Sequence, residues 1–128
     1  MSAHNAACRW TLIAHFFTAM VIGIPCLFFV GEAANWIHWW WYDYTMVKIL
    51  GAAVVALGIG SLLAARDPLR YRIMVQTEIV FTGLAALVLG YRLLSQESTT
   101  PHVGWVFLVV LALFFVAFSV FYPRVEPG

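Results

Sequence analysis

Residues 46–94 read MVKILGAAVVALGIGSLLAARDPLRYRIMVQTEIVFTGLAALVLGYRLL. Two apolar arms, MVKILGAAVVALGIGSLLAA and IMVQTEIVFTGLAALVLGYRLL, flank a charged corner, Arg66-Asp67-Pro68-Leu69-Arg70-Tyr71-Arg72. Each arm is about 20 residues long, and a helix of that length crosses the roughly 30 Å hydrocarbon layer of a bilayer. Asp67 accepts backbone hydrogen bonds and Pro68 fixes the next dihedral, so the corner reads as a turn. Its arginines, Arg66, Arg70 and Arg72, assign it to the cytoplasmic side, because short loops rich in Lys and Arg stay inside.

Working outward, the whole chain has the same character. Of its 128 residues, 63% are hydrophobic and 10% charged, against about 25% charged in soluble domains. A soluble chain of this size could not hide that much apolar surface, so lipid must cover it. The expectation is one all-α domain over residues 1–128, an integral membrane bundle of four transmembrane helices at about 10–30, 45–65, 71–94 and 103–122. The net charge of +1 and the basic residues scattered at helix ends exclude a nucleic-acid surface.

Residues 1–9 read as a short polar tail. The first apolar run, about 20 residues, is longer than the 7–15 of a signal-peptide core, so the helix is expected to be retained. Pro25 inside it predicts a kink or a loosened last turn. With the corner inside, both termini are inside too. Arg9, Arg66, Arg70, Arg72 and Arg124 then face the cytoplasm of a bacterial inner membrane, and Lys48 and Arg92 face out.

The loop between the first two helices, GEAANWIHWWWYDY at 31–44, holds Trp36, Trp39, Trp40, Trp41, Tyr42 and Tyr44. Indole and phenol rings favour the headgroup layer, so this loop is expected to lie in the interface, with a short helix as one form. The rival reading is an aromatic pad for a partner subunit, pigment or quinone. Ala52, Ala56, Gly60 and Ala64 recur every four residues, and Thr82, Ala86 and Gly90 answer them. Such rows let helix backbones approach closely in lipid, so the two arms of the hairpin are expected to pack along them.

Ionisable groups inside a bilayer need a reason to be there. Glu78 lies roughly 10 Å from the corner end of its helix, and His15 lies at similar depth in the first helix. An antiparallel count brings Ser119 to the same layer, with Gln76 and Thr11 near. The candidate cluster is therefore His15, Gln76, Glu78 and Ser119. In the plain reading, Glu78 bonds to His15, Ser119 or Arg66 and fixes helix register. In the functional reading, Glu78 and His15 hold a polar headgroup, of a quinone or lipid, or pass a proton. His15 is also the one candidate ligand for a pigment metal, although a bis-histidine haem would need a second buried histidine.

Cys8 and Cys26 on one helix are roughly 27 Å apart and cannot bond to each other. No nucleophile motif, phosphate loop, zinc pattern or paired carboxylates appear, which argues against catalysis by this chain. Lys48, Arg92, Asp43 and Glu32 read as boundary residues.

The run LGAAVVALGIGSLLAARDPLRYR resembles an element of small bacterial four-helix membrane proteins, the DoxX-like and similar domain-of-unknown-function families. In these a glycine-rich second helix ends in an Ala-Arg-Asp-Pro corner. The resemblance implies a membrane bundle and no particular chemistry. The expected function is an accessory, non-catalytic subunit beside other integral membrane subunits of a larger complex. The alternative is a small transporter or quinone- or lipid-binding protein using Glu78 and His15.

Overall fold

A computed structural model describes residues 2–39, 43–95 and 102–126. Among these are five helices and no strand: α1 (Ala3–Phe28), α2 (Val30–Ile37), α3 (Tyr44–Ala64), α4 (Arg72–Leu94) and α5 (Val103–Val120). All but α2 are long and apolar enough to cross a membrane, and most of each faces away from the other helices. The chain is an all-helical bundle of the membrane type.

α1 begins at Ala3, earlier than the polar tail predicts. Ser2 caps it, its hydroxyl accepting from the Asn5 amide at 3.2 Å. The first turn is held against the chain's other end. The Asn5 side chain donates to the Arg124 carbonyl and accepts from the Arg124 amide, both at 3.0 Å. His4 Nε2 meets the Tyr122 carbonyl at 2.6 Å, and the Ser2 amide donates to Glu126. Pro25 lies inside α1, which ends at Phe28, with the Phe29 amide donating to the Pro25 carbonyl at 2.8 Å.

Part of the aromatic loop is helical. Val30 and Ala34, one turn apart, are the buried face of α2, and His38 ends it in the left-handed conformation at φ 55°. Trp36 is 88% exposed. The Trp39 ring stacks on Phe107 of α5 with centroids 6.0 Å apart. Trp40, Trp41 and Tyr42 lie outside the described residues.

The packing departs from the predicted hairpin. α1 runs along α3, and α4 along α5, whereas α3–α4 and α1–α5 touch only over short stretches. The narrow face of α3 is set by Gly51 and Gly58. A Cβ on Gly51 would lie 2.8 Å from the Leu27 amide nitrogen, and one on Gly58 would lie 2.7 Å from Ala19 Cβ. Only glycine admits α1 at that distance, so α1 takes this face and turns the four-residue row away. Ala52 and Ala56 are exposed, Gly60 faces the flexible end of Met74, and Ala64 is in the core. On α4, Gly90 faces Leu108 of α5, Ala86 is half-buried, and the Thr82 hydroxyl bonds to its own helix.

The corner joins α3 to α4 with Pro68 buried and Asp67 Oδ1 accepting from the Arg70 amide at 3.2 Å. Arg66, Arg70 and Arg72 are exposed, and the Arg70 guanidinium sits over the Tyr71 ring at 5.6 Å. One core cluster gathers Cys8, Leu12, Ala64, Ala65, Val75 and Phe118. The corner therefore lies at the same end of the bundle as both chain ends, together with Arg9 and Arg124.

Candidate functional site

Just above that core, three of the membrane-length helices send a polar side chain to one point, and the fourth encloses it. His15 comes from α1, Ser61 from α3 and Glu78 from α4; α5 supplies Phe114 and Phe118. Ser61 and Glu78 are fully buried and His15 is 6% exposed. Ser61 Oγ donates to Glu78 Oε1 at 2.8 Å and meets His15 Nδ1 at 3.0 Å. Glu78 Oε2 lies 3.2 Å from His15 Nε2, yet the two are not aligned as a hydrogen bond and Oε2 has no other partner. The imidazole meets the Phe114 and Phe118 rings edge-on, at 5.1 and 5.6 Å between centroids.

A count of hydrogens relates the charge of this node to its contacts. The hydrogen bonds Nδ1–Oγ and Oγ–Oε1 take one hydrogen each, and at the unaligned 3.2 Å contact a third hydrogen, on Nε2 or on Oε2, keeps two lone pairs from facing one another. The serine hydroxyl supplies one, so His15 and Glu78 carry two between them. Because Ser61 gives its hydrogen to Glu78, Nδ1 must carry a hydrogen and donate to Oγ. The last hydrogen sits on Oε2 or on Nε2, as neutral acid with neutral imidazole or as carboxylate with imidazolium. Both forms are neutral overall, which suits a group in hydrocarbon, where an isolated charge is far more costly than a paired one.

The structure brings together His15 and Glu78 from the expected cluster and leaves out the rest. Ser119 is exposed and its hydroxyl donates to the Phe115 carbonyl at 2.7 Å. Gln76 is exposed and donates to the Tyr122 hydroxyl at 2.7 Å. Thr11 bonds back to the Ala7 carbonyl at 2.8 Å. Arg66 is at the corner surface, not beside Glu78. The residue not anticipated is Ser61, though after Lys48 it is the next strongly polar side chain along α3, and the depth count applied to Ser119 would have reached it.

Two shallow grooves flank the node along the two sparse seams. One, about 500 Å³, runs between α1 and α5, lined by Trp10, Ala14, Thr18, Leu113 and Phe114. The other, about 520 Å³, runs between α3 and α4 past Leu57, Gln76 and Val80. Both linings are almost wholly apolar. Phe114 has one side on the first groove and its ring against His15. The two ring nitrogens of His15 both face into the node, Nδ1 toward Ser61 and Nε2 toward Glu78.

Fold and site together define a membrane-type helical bundle with an internal, charge-neutral polar node. No family model, curated protein or solved structure matches the chain.

Proposed function

We propose that this chain is an accessory, non-catalytic integral membrane subunit that packs against a larger membrane complex, such as a respiratory or photosynthetic one. Its setting is the bacterial cytoplasmic membrane, with the arginine corner and both termini inside. The observation that carries this reading is the outward turn of Ala52 and Ala56 on α3. Helix α3 already spends Gly51, Gly58 and Ser61 on neighbours within the chain. It still presents a second face of small side chains, of the kind that lets another helix approach closely in lipid. The exposed Trp36 adds an aromatic contact at one end. Extraction in mild detergent should recover a stoichiometric membrane partner. Ala56→Leu should lose that partner, and Leu87→Phe, on an exposed part of α4, should keep it. A lone monomer or a homodimer in the wild type refutes the proposal.

A second reading is favoured by the unaligned Glu78 Oε2, a buried oxygen still able to accept or donate a hydrogen bond. In it, Glu78 and His15 serve a small transporter or hold a quinone or lipid headgroup. Glu78→Gln would then abolish transport or binding. A variant altered in stability alone leaves the first reading standing.

A further inference from the structure

We infer that His15, Ser61 and Glu78 form a binding site for one exchangeable proton, and that its departure parts the α1–α3 pair from the α4–α5 pair at the level of the node. The inference uses the node of the second reading without requiring transport or a headgroup ligand. A transport assay decides that reading; the distances below decide this one.

The packing supplies the first half of the argument. Each helix pair is close along its length, whereas the seams between pairs are sparse and flanked by grooves. Glu78 of α4 reaches from its own pair into the other, meeting Ser61 at 2.8 Å and His15 at 3.2 Å. Around the node stand His15 from α1, Ser61 from α3 and Glu78 from α4, while α5 presents the rings of Phe114 and Phe118. The Cys8 thiol stands in the core cluster that also holds Phe118. No lysine or arginine of these helices is in the core, so no fixed cation faces the node.

The hydrogen count supplies the second half. With two hydrogens carried by His15 and Glu78, the node is neutral and no lone pair faces another across it. On loss of one, the N–H or O–H bond at Nε2 or Oε2 breaks, and its electron pair stays on that atom. The proton passes to a water or buffer base. What remains is a carboxylate facing a bare imidazole nitrogen, lone pair against lone pair, with Nδ1–H still given to Ser61. That state carries one negative charge, and every lysine and arginine among the described residues is exposed rather than buried beside it. It becomes tolerable only if water reaches it, since a buried unpaired charge is strongly disfavoured in a low-dielectric surrounding. The α1–α5 groove is the short route, because Phe114 both lines it and covers the imidazole. Moving Phe114 outward widens this seam.

Two measurements on the protein in liposomes test this. The first is infrared difference spectroscopy from acidic to alkaline pH, following the carbonyl band of a protonated carboxyl. The second is a spin-label distance across the groove, between Ala14→Cys and Ala117→Cys, in a background with Cys8 and Cys26 replaced by Ala. The expected result is loss of the carboxyl band together with a longer distance at alkaline pH. In Glu78→Gln both changes should vanish. Ser61→Ala keeps both titrating groups and should move the midpoint of both changes together, which covers the case in which Glu78→Gln fails to fold. A carboxyl band that does not respond to pH, a distance that lengthens equally in Glu78→Gln, or an unmoved midpoint in Ser61→Ala overturns the inference.

Discussion

Two glycines of α3 make the same substitution report opposite things. Alanine at either Gly51 or Gly60 gains about 1 kcal/mol of helix propensity, so the difference between the variants isolates packing. At Gly51 the new Cβ would meet the Leu27 nitrogen at 2.8 Å and the Cys26 carbonyl carbon at 3.0 Å, both backbone atoms of α1. Ordinary contact begins near 3.4 Å, so α1 would have to recede by about 0.6 Å along the closest seam of the bundle. Overpacking of this kind costs about 1–3 kcal/mol. At Gly60 the neighbour is Met74 Cε at 2.8 Å, the end of a flexible side chain that can swing aside. We expect Gly51→Ala to be less stable than Gly60→Ala by about 1–3 kcal/mol, with Gly60→Ala equal to or above the wild type. Reversible unfolding of the purified protein in mixed micelles, titrated with denaturing detergent, measures both. If Gly51→Ala is as stable as Gly60→Ala, α1 does not approach α3 as described.

Three further outcomes are expected. Ser61→Ala leaves His15 Nδ1 and Glu78 Oε1 without their shared partner and should lose about 1–2 kcal/mol, the scale of interhelical hydrogen bonds in membrane proteins, in the same titration. Asn5→Ala removes a reciprocal pair with Arg124 and should speed hydrogen exchange in residues 2–8 and 120–126, at a cost of about 1–3 kcal/mol. Hydrogen bonds from Ser2, first its hydroxyl and then its amide, hold the Glu126 carboxyl below its ordinary 4.5. A depressed folded value means that its contribution is complete above 4.5 and is lost as pH falls below it. A carbon-detected NMR titration of Glu126 should therefore show a lower midpoint in the wild type than in Asn5→Ala if the terminal contact loosens there.

How much of this could be read from residues alone depended on the kind of signal. The apolar runs were legible because crossing a bilayer demands about 20 residues of little else. The start of α1 was not, because His4 and Asn5 look like a solvated tail until Arg124 and Tyr122 are seen to bind them. The depth of His15 and Glu78 could be counted from helix ends. Rotation about the helix axis could not, and it excluded Ser119 and Gln76. Phe118 points inward, and its neighbour Ser119 is turned by about 100°. Gln76 is two residues before Glu78 and so stands on nearly the opposite face. The choice of packing partner was hidden for a related reason. Small residues occur on several faces of α3, and a four-residue row is no more visible than the wider Gly51–Gly58 spacing that α1 uses.

The clasp between Asn5 and Arg124 spans 119 positions of sequence, and that has a meaning for biogenesis. At about 5–20 residues per second, the ribosome reaches Arg124 roughly 6–24 s after Asn5. Throughout that interval the earliest-made helix has its first turn unmatched, and for the first part of it, until Glu78 is made, His15 awaits its carboxyl. A chaperone or insertase that shields the early segment would act in that window, and a ribosome pausing before α5 would prolong it.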